Sequence, residues 1–159
     1  MLGFRRYIVI FPLCVSMAFL LASCNQSKQS QCQRLIELVN KQNELVQKNK
    51  GTKADTTLQL ASDLDKVTKD MADTKFGDPQ LAGFQSRLVQ SSQTISQEIT
   101  KAGNALSSAT TAEITPAGRT KVETAKKDIE ASLKNAAVAA KQSDDIAQEV
   151  NQYCKKPES

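Results

Sequence analysis

Four cysteines, at positions 14, 24, 32 and 154, are the residues of this 159-residue chain best equipped for chemistry. A thiolate is a nucleophile and a metal ligand, and two thiols in an oxidising compartment can close a bridge. The partners that a reactive centre needs are missing around them. Histidine is absent, which excludes a histidine general base, the usual haem ligand and zinc sites of histidine type. A zinc site on two cysteines lacks evident further ligands. The sequence holds no phosphate-cradling glycine loop and no Gly-x-Ser-x-Gly elbow. The acidic pairs Asp63 with Asp65 and Asp144 with Asp145 sit among polar residues, where surface acids far outnumber catalytic ones. The expectation is a protein that is not an enzyme, with no catalytic residue and no metal ligand.

Charge narrows the partners. The chain carries 21 Lys and Arg against 17 Asp and Glu. Two of the cations, Arg5 and Arg6, belong to the amino-terminal segment; without them 19 face 17. Acids and bases alternate along the rest, as in Asp63, Asp65, Lys66, Lys69 and Asp70. Nucleic-acid binding needs cations clustered on one face, so no nucleic acid is expected.

The amino terminus explains one cysteine. Arg5 and Arg6 precede a run from Ile8 to Leu21 that is apolar except for Pro12 and Ser16. That length suits the apolar region of a signal peptide and is short for a spanning helix. Leu21-Ala22-Ser23-Cys24 follows directly. It resembles the lipobox of bacterial lipoproteins: a branched aliphatic, two small residues, then cysteine. An ordinary secretory cut after Ser23 would put Leu21 where a small residue is wanted.

The resemblance covers residues 1–24. It implies a signal peptide over 1–23 and a diacylglyceryl group on the Cys24 thiol. Cleavage before Cys24 and acylation of the new amine, by palmitate or a similar chain, would follow. That covalent lipid is the only cofactor expected. Each buried acyl methylene contributes about 0.8 kcal/mol, so two or three chains on one residue hold a protein on a membrane almost permanently. Asn25 rather than aspartate follows the cysteine, which in a Gram-negative cell points to the outer membrane. The carboxyl end, Lys155-Lys156-Pro157-Glu158-Ser159, does not finish in lysine. In this it departs from the lipoproteins linked to peptidoglycan through a terminal lysine.

The rest of the chain must position whatever surface the anchor presents. Residues 24–30 read as lipidated cysteine and polar tether, 31–154 as a helical domain, and 155–159 as a disordered tail. Aromatics make up only 4% of the chain, and no segment after position 30 keeps the alternation of a strand. A first helix is expected over about Gln29 to Lys50, with Cys32, Leu35, Ile36, Val39 and Val46 as its apolar stripe and Gly51 as its stop. Thr52 or Asp55 is expected to cap a second helix, striped by Leu58, Ala61, Leu64, Val67 and Met71 and ending at Phe76-Gly77. Asp78-Pro79 is a strong start for a third. Its stripe is Leu81, Phe84, Leu88, Ser91, Ile95 and Ala102, with Ile99 and Leu106 alongside.

Thr115-Pro116 repeats that start for a fourth helix reaching about Cys154. It carries Val122, Ile129, Ala136, Ser143 and Val150 at seven-residue spacing. Ala125, Ala139, Ile146 and Tyr153 form an adjacent row, and Leu133, Ala140, Ala147 and Cys154 another. The fold class expected is all-α, an antiparallel helical bundle. Phe84 and Tyr153 are expected to pack within it.

If Cys14 leaves with the signal peptide and Cys24 is lipidated, Cys32 and Cys154 remain as an even pair in an oxidising compartment. A disulfide needs Cα atoms within about 7 Å. In an antiparallel bundle the start of the first helix meets the end of the last only if the helix number is even. Four helices therefore fit a Cys32–Cys154 bridge, and three do not. The unequal helix lengths have no explanation at this level.

Two functions from different classes remain. One is a non-catalytic lipoprotein presenting an interaction surface in the cell envelope, with an envelope protein complex as partner. The other is a module holding a small apolar ligand or lipid beside the Ala- and Ser-rich middle of the fourth helix. A cavity of at least about 300 Å³ would favour the second. The heptads also permit a homo-oligomer, unless the intramolecular core uses up the same rows.

Overall fold

A computed structural model describes residues 27–49 and 53–156. They form α1 (Lys28–Lys48), α2 (Ala54–Asp73), α3 (Pro79–Thr110) and α4 (Pro116–Cys154). Among the described residues there is no strand, and no helix is long and apolar enough to cross a membrane. The described residues form an all-α antiparallel bundle of four helices.

The two strongest start signals act as their residue types dictate. Asp78 Oδ1 accepts from the Gln80 and Leu81 amides at 2.8 and 3.0 Å, with Pro79 opening α3. Thr115 Oγ1 accepts from the Gly118 amide at 3.0 Å, with Pro116 opening α4. Such caps contribute about 0.5–2 kcal/mol each.

Other boundaries move. Ser27 caps α1 through the Ser30 amide, so Lys28, Gln29 and Ser30 are helical rather than tether. The N-cap position of α2 is Lys53, without a side-chain bond, and Asp55 lies in the first turn; Thr52 is outside the described residues. α2 stops at Asp73, before Phe76-Gly77, because the Gln85 side chain from α3 donates to the terminal carbonyls of Met71 and Thr74. The Thr74 amide also donates to the Met71 carbonyl, at 3.3 Å, so the end of α2 is held both by its own cap and by α3.

The unequal lengths follow from the packing. α3 lies between α2 and α4 and packs on both, while α2 and α4 have no close backbone approach. α1 lies across from α3 and bridges α2 to α4, so four helices surround one core at the cysteine end. That core is Cys32, Leu35, Met71, Leu81, Phe84, Leu88, Ile146 and Val150.

At about 1.5 Å per residue, the 21 residues of α1 span about 31 Å and the 39 of α4 about 58 Å. α1 therefore runs out partway up the bundle. α2 reaches higher, where Thr57 and Leu58 lie against Gly103. Past the start of α2, α3 and α4 continue as a hairpin to their turn.

Two glycines permit close approaches. A Cβ on Gly103 would stand 2.8 Å from the Leu58 side chain, and one on Gly118 would stand 1.8 Å from the Glu113 carbonyl oxygen. The second contact is with backbone and closes the α3–α4 turn.

Stability should therefore be concentrated at the cysteine end. Leu88→Ala is expected to cost about 2–5 kcal/mol in urea unfolding, the usual range for a buried leucine. Val122→Ala, at a position 43% exposed, is expected to stay within about 0.5 kcal/mol of the wild-type chain.

Candidate functional site

The cysteine end and the open face above α1 are where the chemistry-bearing residues and the uncovered apolar surface lie. At the first, Cys32 and Cys154 stand at disulfide distance, with Cα atoms 5.8 Å apart. Their surroundings tie all the helices together. The Gln31 carboxamide oxygen accepts from the Gly77 and Asp78 amides at 2.7 and 3.0 Å. Tyr153 donates to Asp78 Oδ2 at 2.6 Å, and its ring meets Phe84 edge-on at 5.9 Å. The Lys28 ammonium lies 4.1 Å from the Tyr153 ring centre and donates to the Lys156 carbonyl. Arg34 donates to the Lys75 carbonyl and lies over Phe76.

Partial burial pushes the Asp78 carboxyl upward. Hydrogen bonds from Tyr153 and from the Leu81 and Gln80 amides, with the charge of Lys28, outweigh that and hold it below the usual carboxylate range. Cys24, the candidate for lipidation, and the lipobox residues Leu21, Ala22 and Ser23 lie outside the described residues. Cys24 precedes the capping Ser27 by three positions, so the chain enters the bundle at the cysteine end.

The acidic pairs are surface groups. Asp63 is held below its usual range by hydrogen bonds from Lys66 and Gln59, and Asp145 pairs with Lys141 at 3.2 Å. Asp65 and Asp144 are exposed. Among the described residues no three Cys, Asp or Glu side chains converge as a metal site.

The open face is a channel of about 530 Å³. Ile95 and Ile99 of α3 form its floor; Leu133, Ala136, Ala137 and Ala140 of α4 form one wall; Val46 at the end of α1 closes its lower end. A buried polar network marks the level where core gives way to channel. Gln42 donates to Thr68 Oγ1 at 3.2 Å and accepts from Ser92 at 3.0 Å, so it joins α1, α2 and α3.

The channel exists because the fourth helical column is half filled. The row Leu133, Ala140, Ala147 and Cys154 faces α1 at its lower end, where Cys154 meets Cys32. Above α1 no described residue covers the same row, and Leu133 is 53% exposed. The row of Val122, Ile129, Ala136, Ser143 and Val150 behaves alike. Val150 and Ala136 are buried, Ser143 and Ile129 half-buried and Val122 exposed. The intramolecular core therefore uses these rows only in part: Cys32 pairs with Cys154 and Val150 and Ala136 are buried, while Leu133, Ala140 and Val122 are exposed.

The row buried along its whole length faces α3. It is Ala125, Ser132, Ala139 and Ile146, and its serine was not legible as a core position. Glu98 on α3 is also buried there. A hydrogen bond from Lys101 holds Glu98 below its usual range despite the opposing effect of burial, with Asn135 and Ser132 assisting. On another face of the α3–α4 pair, Arg87 spans a polar groove to Glu149 with two hydrogen bonds of 2.7 and 2.8 Å.

No family profile, curated protein or solved structure matches this chain.

The lowered Asp78 carboxyl sets a pH dependence. A depressed folded-state value contributes stability that is present above the unfolded value, about 3.9, and is lost as the pH falls through the folded value. Asp78→Asn retains a capping side chain but no titrating group. Its urea midpoint is expected to fall less steeply than that of the wild-type chain below pH 4; parallel acid limbs would contradict the assignment.

Proposed function

We propose that this chain is a non-catalytic, membrane-anchored helical lipoprotein that presents an interaction surface in the cell envelope. The observation that carries this reading is the open apolar channel. A soluble helical domain rarely leaves a contiguous apolar face uncovered without a partner for it. The channel is lined from all four helices and is bounded by the packed core at the cysteine end. The lipobox resemblance supplies the anchor, and the entry of the chain at the cysteine end would hold that end near the membrane. The channel and the α3–α4 turn, with its fully exposed Ile114, would then stand away from the bilayer. In a Gram-negative cell Asn25 favours the outer membrane.

A second reading has an observation of its own. At about 530 Å³ the channel exceeds the roughly 300 Å³ at which small-molecule sites begin, so it has room for an apolar ligand or lipid. Its open side favours a macromolecular partner, since ligand pockets bury most of a small ligand's surface.

The test uses cells producing a tagged copy, fed a palmitate analogue and cross-linked before solubilisation. The account expects label on the wild-type protein, none on Cys24→Ala, and a reproducible protein partner. An unlabelled wild-type protein would refute the anchor. A labelled protein enriched for nothing but lipid would favour the ligand reading.

A further inference from the structure

We propose that the cysteine end of the bundle is a basic docking surface for the phosphates of anionic lipid headgroups, which holds the bundle upright on its membrane. This rests on the lipid-anchor reading and deepens it, since it gives a partner to the end that the anchor brings down.

Cations scattered through the sequence meet at this end. Lys28 and Arg34 come from α1, Lys75 from the α2–α3 turn, and Lys155 and Lys156 from the end of α4. Lys28 donates to the Lys156 carbonyl at 3.1 Å and Arg34 to the Lys75 carbonyl at 3.3 Å. Gln31, between them on α1, accepts from the Gly77 and Asp78 amides, so three segments of the chain are drawn together. Five cations thus share the end with two acids, Asp73 and Asp78. The Asp78 carboxylate is engaged by Tyr153, Gln80 and Leu81. Of the next acids up the bundle, Asp70 and Glu149 pair with Lys41 and Arg87, and Glu37 lies three positions beyond Arg34. Elsewhere the described chain is close to neutral, so its positive charge is concentrated here.

The cations are also available. Lys75, Lys155 and Lys156 are exposed, and none of them pairs with an acid among the described residues. The Arg34 guanidinium lies over Phe76 and has one acceptor among the described residues, the Lys75 carbonyl, for five N–H donors. Its Nε is buried without a partner. A phosphate beside its outer nitrogens would supply acceptors in the paired geometry that arginine favours.

The entry of the chain selects the partner. Cys24 precedes the capping Ser27 by three positions, and three residues span at most about 11 Å. That is comparable with the Debye length of about 8 Å at physiological ionic strength, and the lysine stems cover the difference. A lipid on Cys24 would therefore hold these cations in the field of an anionic leaflet, which attracts juxtamembrane basic residues. A soluble partner would first have to displace the bilayer from this face.

The experiment is lysine footprinting of the purified, lipidated protein in vesicles. A membrane-impermeant amine-acylating reagent is applied to protein in phosphatidylcholine alone and in phosphatidylcholine mixed with phosphatidylglycerol, and each site is read by mass spectrometry. Labelling of Lys75, Lys155 and Lys156 is expected to fall about fivefold with phosphatidylglycerol, the bias of a basic residue toward an anionic leaflet. Lys121 and Lys134, exposed on α4 away from this end, are expected to label alike in both. Salt at about 1 M, where the Debye length is about 3 Å, is expected to remove the difference. Lys75→Gln with Lys155→Gln is expected to erase the protection of Lys156, whereas Lys121→Gln with Lys134→Gln leaves it.

Equal labelling at the cysteine end in both vesicles would overturn the docking and leave the anchor standing. Loss of protection with either double variant would also overturn it, because net charge rather than this surface would then be responsible. An intact mass without lipid on Cys24 would overturn the anchor reading and the docking together.

Discussion

The meeting of the two ends of the folded chain is the constraint on which this structure depends. Cys32 lies in the first turns of α1 and Cys154 closes α4, and their Cα atoms are 5.8 Å apart at a sequence separation of 122. α1 needs that fastening more than the other helices do. Its buried residues are Gln31, Cys32, Leu35 and Gln42, a small apolar contribution for 21 residues, and helices in proteins owe most of their stability to the packing of such a face. A bond between the cysteines would remove loop-closure entropy worth about 4–5 kcal/mol in the chain-entropy model. The Gln31 bonds to the start of α3 and the Gln42 bonds to α2 and α3 then fix where along the bundle α1 sits.

From that fastening the rest follows. With α1 held at the cysteine end, the core gathers there around Leu35, Met71, Leu81 and Leu88, all fully buried. With α1 ending at Lys48, no described residue fills the column above it, and α3 and α4 keep apolar positions such as Leu133 and Val122 that the described residues leave exposed. The bundle is thus rigid where the chain enters and open farther along. That polarity suits a protein tethered at one end and contacting something at the other.

How much of this was legible in the residues depended on whether the cause was local. Asp78-Pro79 and Thr115-Pro116 marked two helix starts because a capping side chain and a proline act within one turn. The even helix number followed from the two cysteines once the others were assigned. The end of α2 was misplaced because Gln85, fourteen residues from Met71, supplies the bonds that stop it. Ser96, whose hydroxyl donates to the Ala61 carbonyl at 3.0 Å, and Ser132 are buried polar positions. Their satisfaction depends on a neighbouring helix, so periodicity did not mark them as core. Periodicity also shows which face of a helix is apolar, never what covers it; Leu133 and Cys154 share one row, yet only one meets α1. The channel came from helix lengths and relative heights, which no single stripe encodes.

The dependence of α1 on the paired cysteines is the claim most open to direct measurement. Amide hydrogen exchange, followed by mass spectrometry on the oxidised and the gently reduced protein, reports each helix separately. The account predicts that reduction strips protection from α1 while Leu81–Ser92 of α3 and Ile146–Val150 of α4 remain protected. Protection of α1 that is unchanged by reduction would contradict it, because α1 would then be held by packing alone.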